Sequence, residues 1–441
     1  MRRAAPVRAA ARVAAGVAVL AVAVAAAAPA APAPAAPAPV APTVDARALR
    51  GHGTLAFVSL GRLYVLRGAT GRLRRSSAAG EEAYAPAYSP RGRWLAYSTR
   101  PAAGSRGGTP ALFVARADGA DRHRVPGASE GSWLPDGELL AGDTVWRVAA
   151  DGSVVRAAAA PVGLVAWAPD ASAYAFVTST LAPTHTRPSS GVERLQLAAS
   201  LTGRRTTWYA AHVAFTPKEG FRGDFVSAVT VRPRGQGVLF TLDPLGSASI
   251  AADGLVLEFL AGPGARPVRL GVTVADAVTV ASSGAVAFVD GPSRYAWTTK
   301  HLETCAAGGG ACAAVAGPRG QLTFDPAWSP GGRSLAFVAA PPGRSPSFYQ
   351  AELVRWYASH TLWLLREGAR APRRVAGARG ASAPTWSADG RSLVYTAGDA
   401  LWLAGTGGGA PVRIAGPLLP PASWPNYYGQ VAWRSQFAWA S

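Results

Sequence analysis

The thirteen residues "APAYSPRGRWLAY" (85–97) recur as "DPAWSPGGRSLAF" (325–337) and "APTWSADGRSLVY" (383–395). Each copy has a short stretch that ends in an aromatic residue and Ser, then a turn that contains Gly, then a second stretch. Both stretches alternate between apolar and polar residues, which predicts β-strands, and the turn between them predicts a hairpin. The phrase therefore predicts the same antiparallel hairpin at three places in the chain.

Two more strands follow each hairpin, so each unit is predicted to be a four-stranded antiparallel sheet. The third strands are "ALFVARADG" (111–119), "TLWLLREG" (361–368) and "ALWLAGTGGG" (400–409), and the fourth are "RHRVPG", "PRRVAG" and "PVRIAG". Weaker copies of the unit occupy 131–158, 163–179, 227–244 and 276–292. The spacing centres near about 50 residues, the period of a propeller blade. We therefore predict an all-β fold, a β-propeller of four-stranded blades.

The two ends of the repeat region complement each other. The segment 53–77 has the later strands of a unit without the preceding aromatic-Ser-Pro strand, and the segment 428–441 resembles that missing strand. Pairing of N- and C-terminal strands in one blade would remove the free edges of an open array. Seven interior units and this shared one make eight blades; because two weak units are ambiguous, seven blades are the alternative.

The phrase aromatic-Ser-Pro-x-Gly-x-x-Leu-Ala-aromatic, at 88–97 and 328–337 and, with Ala for Pro and Val for Ala, at 386–395, resembles the TolB-type, WD40-like propeller repeat of bacterial exported proteins. The resemblance covers about residues 53–441 and implies that the repeated aromatic residues pack between blades. Nothing here resembles the separate α/β domain of TolB, so we do not expect a Tol-Pal role. The repeat is also similar to the scaffold of oligogalacturonate lyases, and such a fold serves many functions.

The N-terminal region has the features of an export signal. Residues 1–28 combine a basic start with a Val/Ala run, which predicts a signal peptide or, as the alternative, a membrane anchor. Residues 29–50 form an Ala/Pro-rich linker, and residues 51–441 form the TolB-like propeller domain. We predict an exported protein that is periplasmic, associated with the cell wall or secreted.

The cysteine count agrees with export. Cys305 and Cys312 are the only two cysteines, and they flank a glycine-rich turn. In an exported chain such a pair predicts one disulfide, which would pin a hairpin.

The net charge of +19 is carried almost entirely by Arg, a bias that a high-GC genome also produces. The positive charge therefore has two explanations: the composition of a high-GC genome, or a basic surface that attracts anionic partners such as acidic polymers. No nucleic-acid recognition motif is present.

Motifs for catalysis and metal binding are weak. "GASEG" (127–131) matches a nucleophile elbow around Ser129, but another blade turn follows it where a helix is required. The six histidines are dispersed and the chain has no calcium-loop spacing, so we predict no metal site and no cofactor.

A propeller presents its binding residues on loops. The connections between the second and third strands of a blade, here called b–c loops, are enlarged at 100–110, 179–192 and 340–360, and they should share one face. We predict a contact set of Arg, His and aromatic residues in two of them: His185, Arg187, Arg344, Phe348, Tyr349, Arg355, Trp356 and Tyr357. The alternative is that Phe348, Trp356 and Tyr357 anchor a small helix over "YQAELVRWYASH" (349–360).

Two functions follow from these features. The first is a monomeric, non-enzymatic binding module for an envelope protein or anionic polymer. The second is a carbohydrate-active enzyme of polysaccharide-lyase type, in which Arg and His would converge near the propeller axis. A lyase needs a deep axial pocket with clustered His, Arg, Gln or Tyr, whereas a binding module can use a broad rim of inserted loops. At least three of the six histidines in contact at one end of the channel would favour the enzyme.

Overall fold

The computed structural model describes residues 41–102, 108–183, 186–246, 254–274, 277–307, 312–343, 350–418, 429 and 431–441. Within this part of the chain, eight antiparallel sheets follow one another as eight blades of a β-propeller. The predicted fold class is confirmed, and the number of blades is eight, not seven. The predicted signal peptide and most of the predicted linker lie outside the described residues.

Strands a to d of each blade follow in chain order from the axis outward, and the inner strands of neighbouring blades contact each other. Strands a of blades 1 to 8 are β34 (Phe437–Ala440), β5 (Glu81–Tyr88), β9 (Ser132–Trp133), β13 (Leu164–Trp167), β18 (Phe225–Val231), β22 (Val278–Val280), β26 (Leu322–Trp328) and β30 (Ala381–Trp386). Strands b are β2 (Thr54–Ser59), β6 (Trp94–Pro101), β10 (Leu139–Ala141), β14 (Tyr174–Ser179), β19 (Val238–Asp243), β23 (Val286–Asp290), β27 (Ser334–Ala340) and β31 (Ser392–Ala397).

Strands c of blades 1 to 8 are β3 (Arg62–Arg67), β7 (Ala111–Arg116), β11 (Thr144–Val148), β15 (Ser189–Ala198), β20 (Leu255–Leu260), β24 (His301–Cys305), β28 (Thr361–Arg366) and β32 (Ala400–Gly405). Strands d are β4 (Leu73–Arg75), β8 (His123–Arg124), β12 (Val154–Ala159), β16 (Thr206–Thr216), β21 (Val268–Thr273), β25 (Cys312–Ala314), β29 (Arg373–Arg379) and β33 (Val412–Gly416). A fifth strand lies outside two blades: β17 (Gly220–Gly223) in blade 4 and β1 (Thr43–Val44) in blade 8. The α-helix α1 (Gln350–Ser359) lies in the b–c loop of blade 7.

The repeated phrase forms the inner hairpin, and its Ser closes the turn with its side chain. The Ser89 hydroxyl accepts a hydrogen bond from the Trp94 N–H at 3.1 Å, and the Ser329 hydroxyl accepts one from the Ser334 N–H at 3.0 Å. The turn glycine Gly92 has a φ of 65°, which favours glycine over residues with a Cβ. The phrase recurs because each strong blade closes its inner turn with the same local hydrogen bond.

The inner strands also carry a bulge beside the axis. Ala85, Asp325 and Ala383 have φ near 50° and each precedes a proline, where the pairing between strands a and b shifts register. Two tryptophans join neighbouring inner strands: the Trp133 indole N–H donates to the Ala87 carbonyl, and that of Trp386 donates to the Ala327 carbonyl. The repeat residues Tyr88, Trp133, Trp167, Trp328 and Trp386 are half-buried, each packed against a core cluster.

The apolar core is divided into layers between blades. For example, Val65 of blade 1 packs in one cluster with Leu95 and Tyr97 of blade 2, and Leu362 of blade 7 packs with Tyr395 of blade 8. Each blade therefore contributes both of its faces to burial.

The ring closes as the sequence predicted. The C-terminal strand β34 pairs with β2 in blade 1, with Phe437 opposite Phe57 and Ala440 opposite Thr54. Phe437 is buried in a cluster with Phe57 and with Val394 and Ile414 of blade 8. The described part of the predicted linker also contacts the ring, because β1 pairs with β33 and Leu49 is fully buried.

The predicted disulfide is present. Cys305 and Cys312 are cross-strand partners in β24 and β25, and a disulfide joins them. It ties strand c to strand d at the outside of blade 6.

We expect Phe437→Ala to lower the free energy of unfolding by about 3–5 kcal/mol, because it empties the core that holds the first blade to the last. Urea unfolding followed by tryptophan fluorescence measures this change. Val155→Ala is a matched control for aliphatic truncation, since Val155 is 53% exposed on an outer strand and should change stability by less than about 0.5 kcal/mol. A loss below about 1 kcal/mol at Phe437 would contradict closure by this strand.

Candidate functional site

The b–c loops and the connections between blades lie on one face of the propeller, here called the b–c face. On this face α1 is held by side chains that point into the protein. Leu353, Trp356 and Tyr357 are buried, and the outward residues Ala351, Glu352, Arg355 and Ala358 are exposed. The helix therefore presents one polar side to solvent on a fixed base.

The base of α1 is an aromatic cluster that joins three separate parts of the chain. Trp356 donates its indole N–H to the Pro341 carbonyl at 2.9 Å, and the Tyr357 hydroxyl donates to the Gly429 carbonyl at 2.7 Å. Trp297, from the b–c loop of blade 6, lies edge-on to Trp356 with 6.5 Å between ring centroids. We call Trp297, Leu322, Leu353, Trp356 and Tyr357, which pack together as one buried group, the aromatic cap.

His360 ends the α1 segment in a fully buried position. Its ring lies 4.3 Å from the Trp356 ring, 4.8 Å from the Tyr357 ring and 5.0 Å from the Phe324 ring. Nδ1 lies 3.2 Å from the Ala381 carbonyl oxygen, and Nε2 has no hydrogen-bond partner among the described residues. Burial lowers the pKa of His360 to about 3, against a smaller opposite effect of the hydrogen bond to Ala381. The imidazole is therefore neutral at ordinary pH and serves as a packed ring.

The structure separates the described members of the predicted contact set into two groups. Arg187 and Arg355 are exposed. Trp356 and Tyr357 are only 8% exposed and form part of the aromatic cap, as expected if they anchor a helix. The other four residues, His185, Arg344, Phe348 and Tyr349, lie outside the described part of the chain.

Two segments that contribute residues to this face were missed by the sequence analysis. Trp297 comes from "SRYAWTTK" (293–300) in the b–c loop of blade 6, which was not among the three loops predicted to be enlarged. Gly429 and Trp433 come from the connection between blades 8 and 1, which was considered only for ring closure. The density of aromatic residues in both segments was the available signal.

The five described histidines lie in five different blades. They are His52 before β2, His123 in β8, His212 in β16, His301 in β24 and His360 after α1. None of these five is on an inner strand. In the described ranges, no group of three or more His, Cys, Asp or Glu side chains is arranged to hold a metal ion. Nor do these ranges contain a helix with the length and apolar composition that a membrane crossing requires.

No protein-family model matches the chain, and a search of the curated proteins found no match. Solved structures similar to it include TolB from Acinetobacter baumannii, with 12% identity over 83% of this chain and 64% of that one and a TM-score of 0.35. Others are an oligogalacturonate lyase in complex with manganese (12% identity, 89% and 88% covered, TM-score 0.42) and a eukaryotic initiation factor (12%, 82% and 95%, TM-score 0.43).

The chain spans about 64% of the length of that TolB structure. All of these similarities are distant, and the eight blades are defined by the sheets of this chain itself. The class of protein is an eight-bladed β-propeller, and this fold is consistent with a binding scaffold and with an enzyme.

Stability should fall with acid partly through His360. Because burial lowers its pKa from 6.5 to about 3, the unfolded chain binds a proton at this site below pH 6.5 while the folded chain does not. The part of the free energy of unfolding that depends on a neutral His360 is complete above pH 6.5. It is lost as the pH falls toward 3, at up to about 1.4 kcal/mol per pH unit. In His360→Gln, the free energy of unfolding measured by urea titration from pH 6.5 to 4 should therefore change less steeply than in wild type. Equal slopes would show that His360 does not titrate in this way.

Proposed function

We propose that this protein is an exported, non-enzymatic propeller of the TolB-type repeat family that binds an anionic cell-envelope component through the b–c face. The observation that carries the proposal is the anchoring of α1 by the aromatic cap. A helix fixed on its buried side by Trp356 and Tyr357 presents Glu352 and Arg355 without the cost of ordering a loop on binding. Rigid scaffolds that display exposed loop residues are a common basis of recognition.

Charge supports an anionic partner. The chain carries a net charge of +19, and exposed arginines on the b–c face include Arg187, Arg355 and Arg379. The ion pair of Arg355 with Glu352 is long, at 4.0 Å, and both side chains are exposed, so it holds the guanidinium only weakly. The Arg355 guanidinium can therefore exchange water for a carboxylate or phosphate of a partner at little cost.

None of the five described histidines lies on an inner strand, which favours a binding role over acid-base catalysis by histidine at the axis. The disulfide in blade 6 is compatible with export to an oxidising compartment.

The experiment measures binding of the purified protein to immobilised alginate, an acidic polysaccharide, with dextran as the neutral comparison. The double variant Arg187→Glu, Arg355→Glu should bind alginate roughly fivefold more weakly or worse, because two favourable charges become repulsive. Binding should also weaken as salt is raised.

The double variant Arg91→Glu, Arg333→Glu is the matched control, since both are exposed arginines in the a–b turns of blades 2 and 7, on the face opposite the b–c loops. The control changes net charge equally and should retain most of the binding. If both double variants lose affinity to the same extent, attraction is due to net charge and not to the b–c face. If the wild type binds dextran as well as alginate, an anionic partner is the wrong class.

A further inference from the structure

A cavity of about 290 Å³ lies beside α1, between the helix and the b–c turn of blade 8. Its lining is mostly apolar and consists of Val354, Tyr357, Ala358, Arg379, Gly380, Ala397, Gly398, Trp402 and Trp433. Gly380 connects blades 7 and 8 with a φ of 71°, and a Cβ there would contact Ala397 and Ala358. The two elements approach closely at this glycine, and the cavity opens beside it.

Aromatic rings form much of the cavity wall. The polar atoms of two of them are already engaged, because the Tyr357 hydroxyl donates to Gly429 and the Trp402 indole N–H donates to the Ala397 carbonyl at 3.3 Å. These residues therefore offer ring surface to a ligand more than hydrogen bonds. Rings of this kind bind flat or ring-shaped groups by stacking and apolar contact.

Among the described residues that line the cavity, one side chain is charged. Arg379 is exposed at the end of β29, and no carboxylate lies within ion-pair distance of it in the described ranges. Arg373 at the other end of the same strand differs, because it donates to the Thr406 carbonyl at 2.7 Å. Arg379 is thus available for an anion at the edge of an apolar, aromatic cavity.

We propose that this cavity binds a ring-shaped monoanion, that is, an aromatic or alicyclic ring that carries one carboxylate. The ring would contact Tyr357 and Trp402, and the carboxylate would pair with Arg379. This proposal rests on the proposed function, from which it takes the preference of the b–c face for anions. It adds a defined pocket and a ligand class. A protein or polymer that carries such a group would use the same pocket.

The test uses isothermal titration calorimetry with three probes. Phenylacetate has the ring and the charge, phenylacetamide keeps the ring without the charge, and acetate keeps the charge without the ring. We expect phenylacetate to bind wild type more tightly than either of the other two. Equal affinity for phenylacetamide, or no heat of binding with millimolar phenylacetate, would overturn the proposal.

Three variants locate the binding. Arg379→Gln should weaken phenylacetate binding by about tenfold or more, since a hydrogen bond to a charged group is lost, and should leave binding of phenylacetamide unchanged. Arg374→Gln, an exposed arginine on the same strand outside the cavity, is the control and should bind as wild type does. Ala358→Phe should fill the cavity from the helix and weaken both ring probes.

Circular dichroism and thermal unfolding establish that each variant is folded, which is expected because Arg379, Arg374 and Ala358 are exposed. Unchanged phenylacetate affinity in folded Arg379→Gln or Ala358→Phe would contradict the pocket. The alginate experiment distinguishes the two proposals: alginate binding without phenylacetate binding would refute only the pocket, and the reverse would refute only the polymer surface.

Discussion

No blade of this propeller can bury both of its faces alone, and the rest of the structure depends on this constraint. Each sheet packs its two faces against the blades before and after it, as Val65 and Leu95 do between blades 1 and 2. A row of such blades would expose an apolar face at each end. The pairing of β34 with β2, with Phe437 inserted beside Ile414, removes both exposed faces at once.

The fold could be predicted from the sequence because its determinants are local and repeated. The Ser side chain, the turn glycine and the alternating strands of the inner hairpin act within about ten residues. Each strong copy therefore contains all the local interactions that determine its hairpin. The weak copies could also be predicted to form blades, because a closed ring needs a blade at each position between the strong copies. Ring closure was also predictable, since the two ends of the chain each contained the part of a blade that the other lacked.

The candidate site was harder to predict because its contacts join distant segments. Trp356 and Tyr357 were placed in the contact set for their aromatic character, but that character buries them against Trp297 and Gly429. Arg232 shows that the charge of a residue, like its aromatic character, does not reveal whether the side chain is exposed. It counts toward the positive charge of the sequence, yet it is 1% exposed and donates to carbonyls of Gln236 and, in the next blade, Gly284. Burial lowers the pKa of Arg232.

The two faces of the propeller differ in how much the lengths of their loops vary. The turns between strands a and b are short, and in the strong blades the Ser side chain fixes them. The b–c loops range from two residues (398–399) in blade 8 to twenty (341–360) in blade 7. Because all b–c loops share one face, an insertion in one blade can pack on its neighbours, as the loops of blades 6 and 7 do in the aromatic cap. Neighbouring insertions that pack together, on a ring that cannot open without exposing its core, make a rigid surface from segments that would be mobile alone.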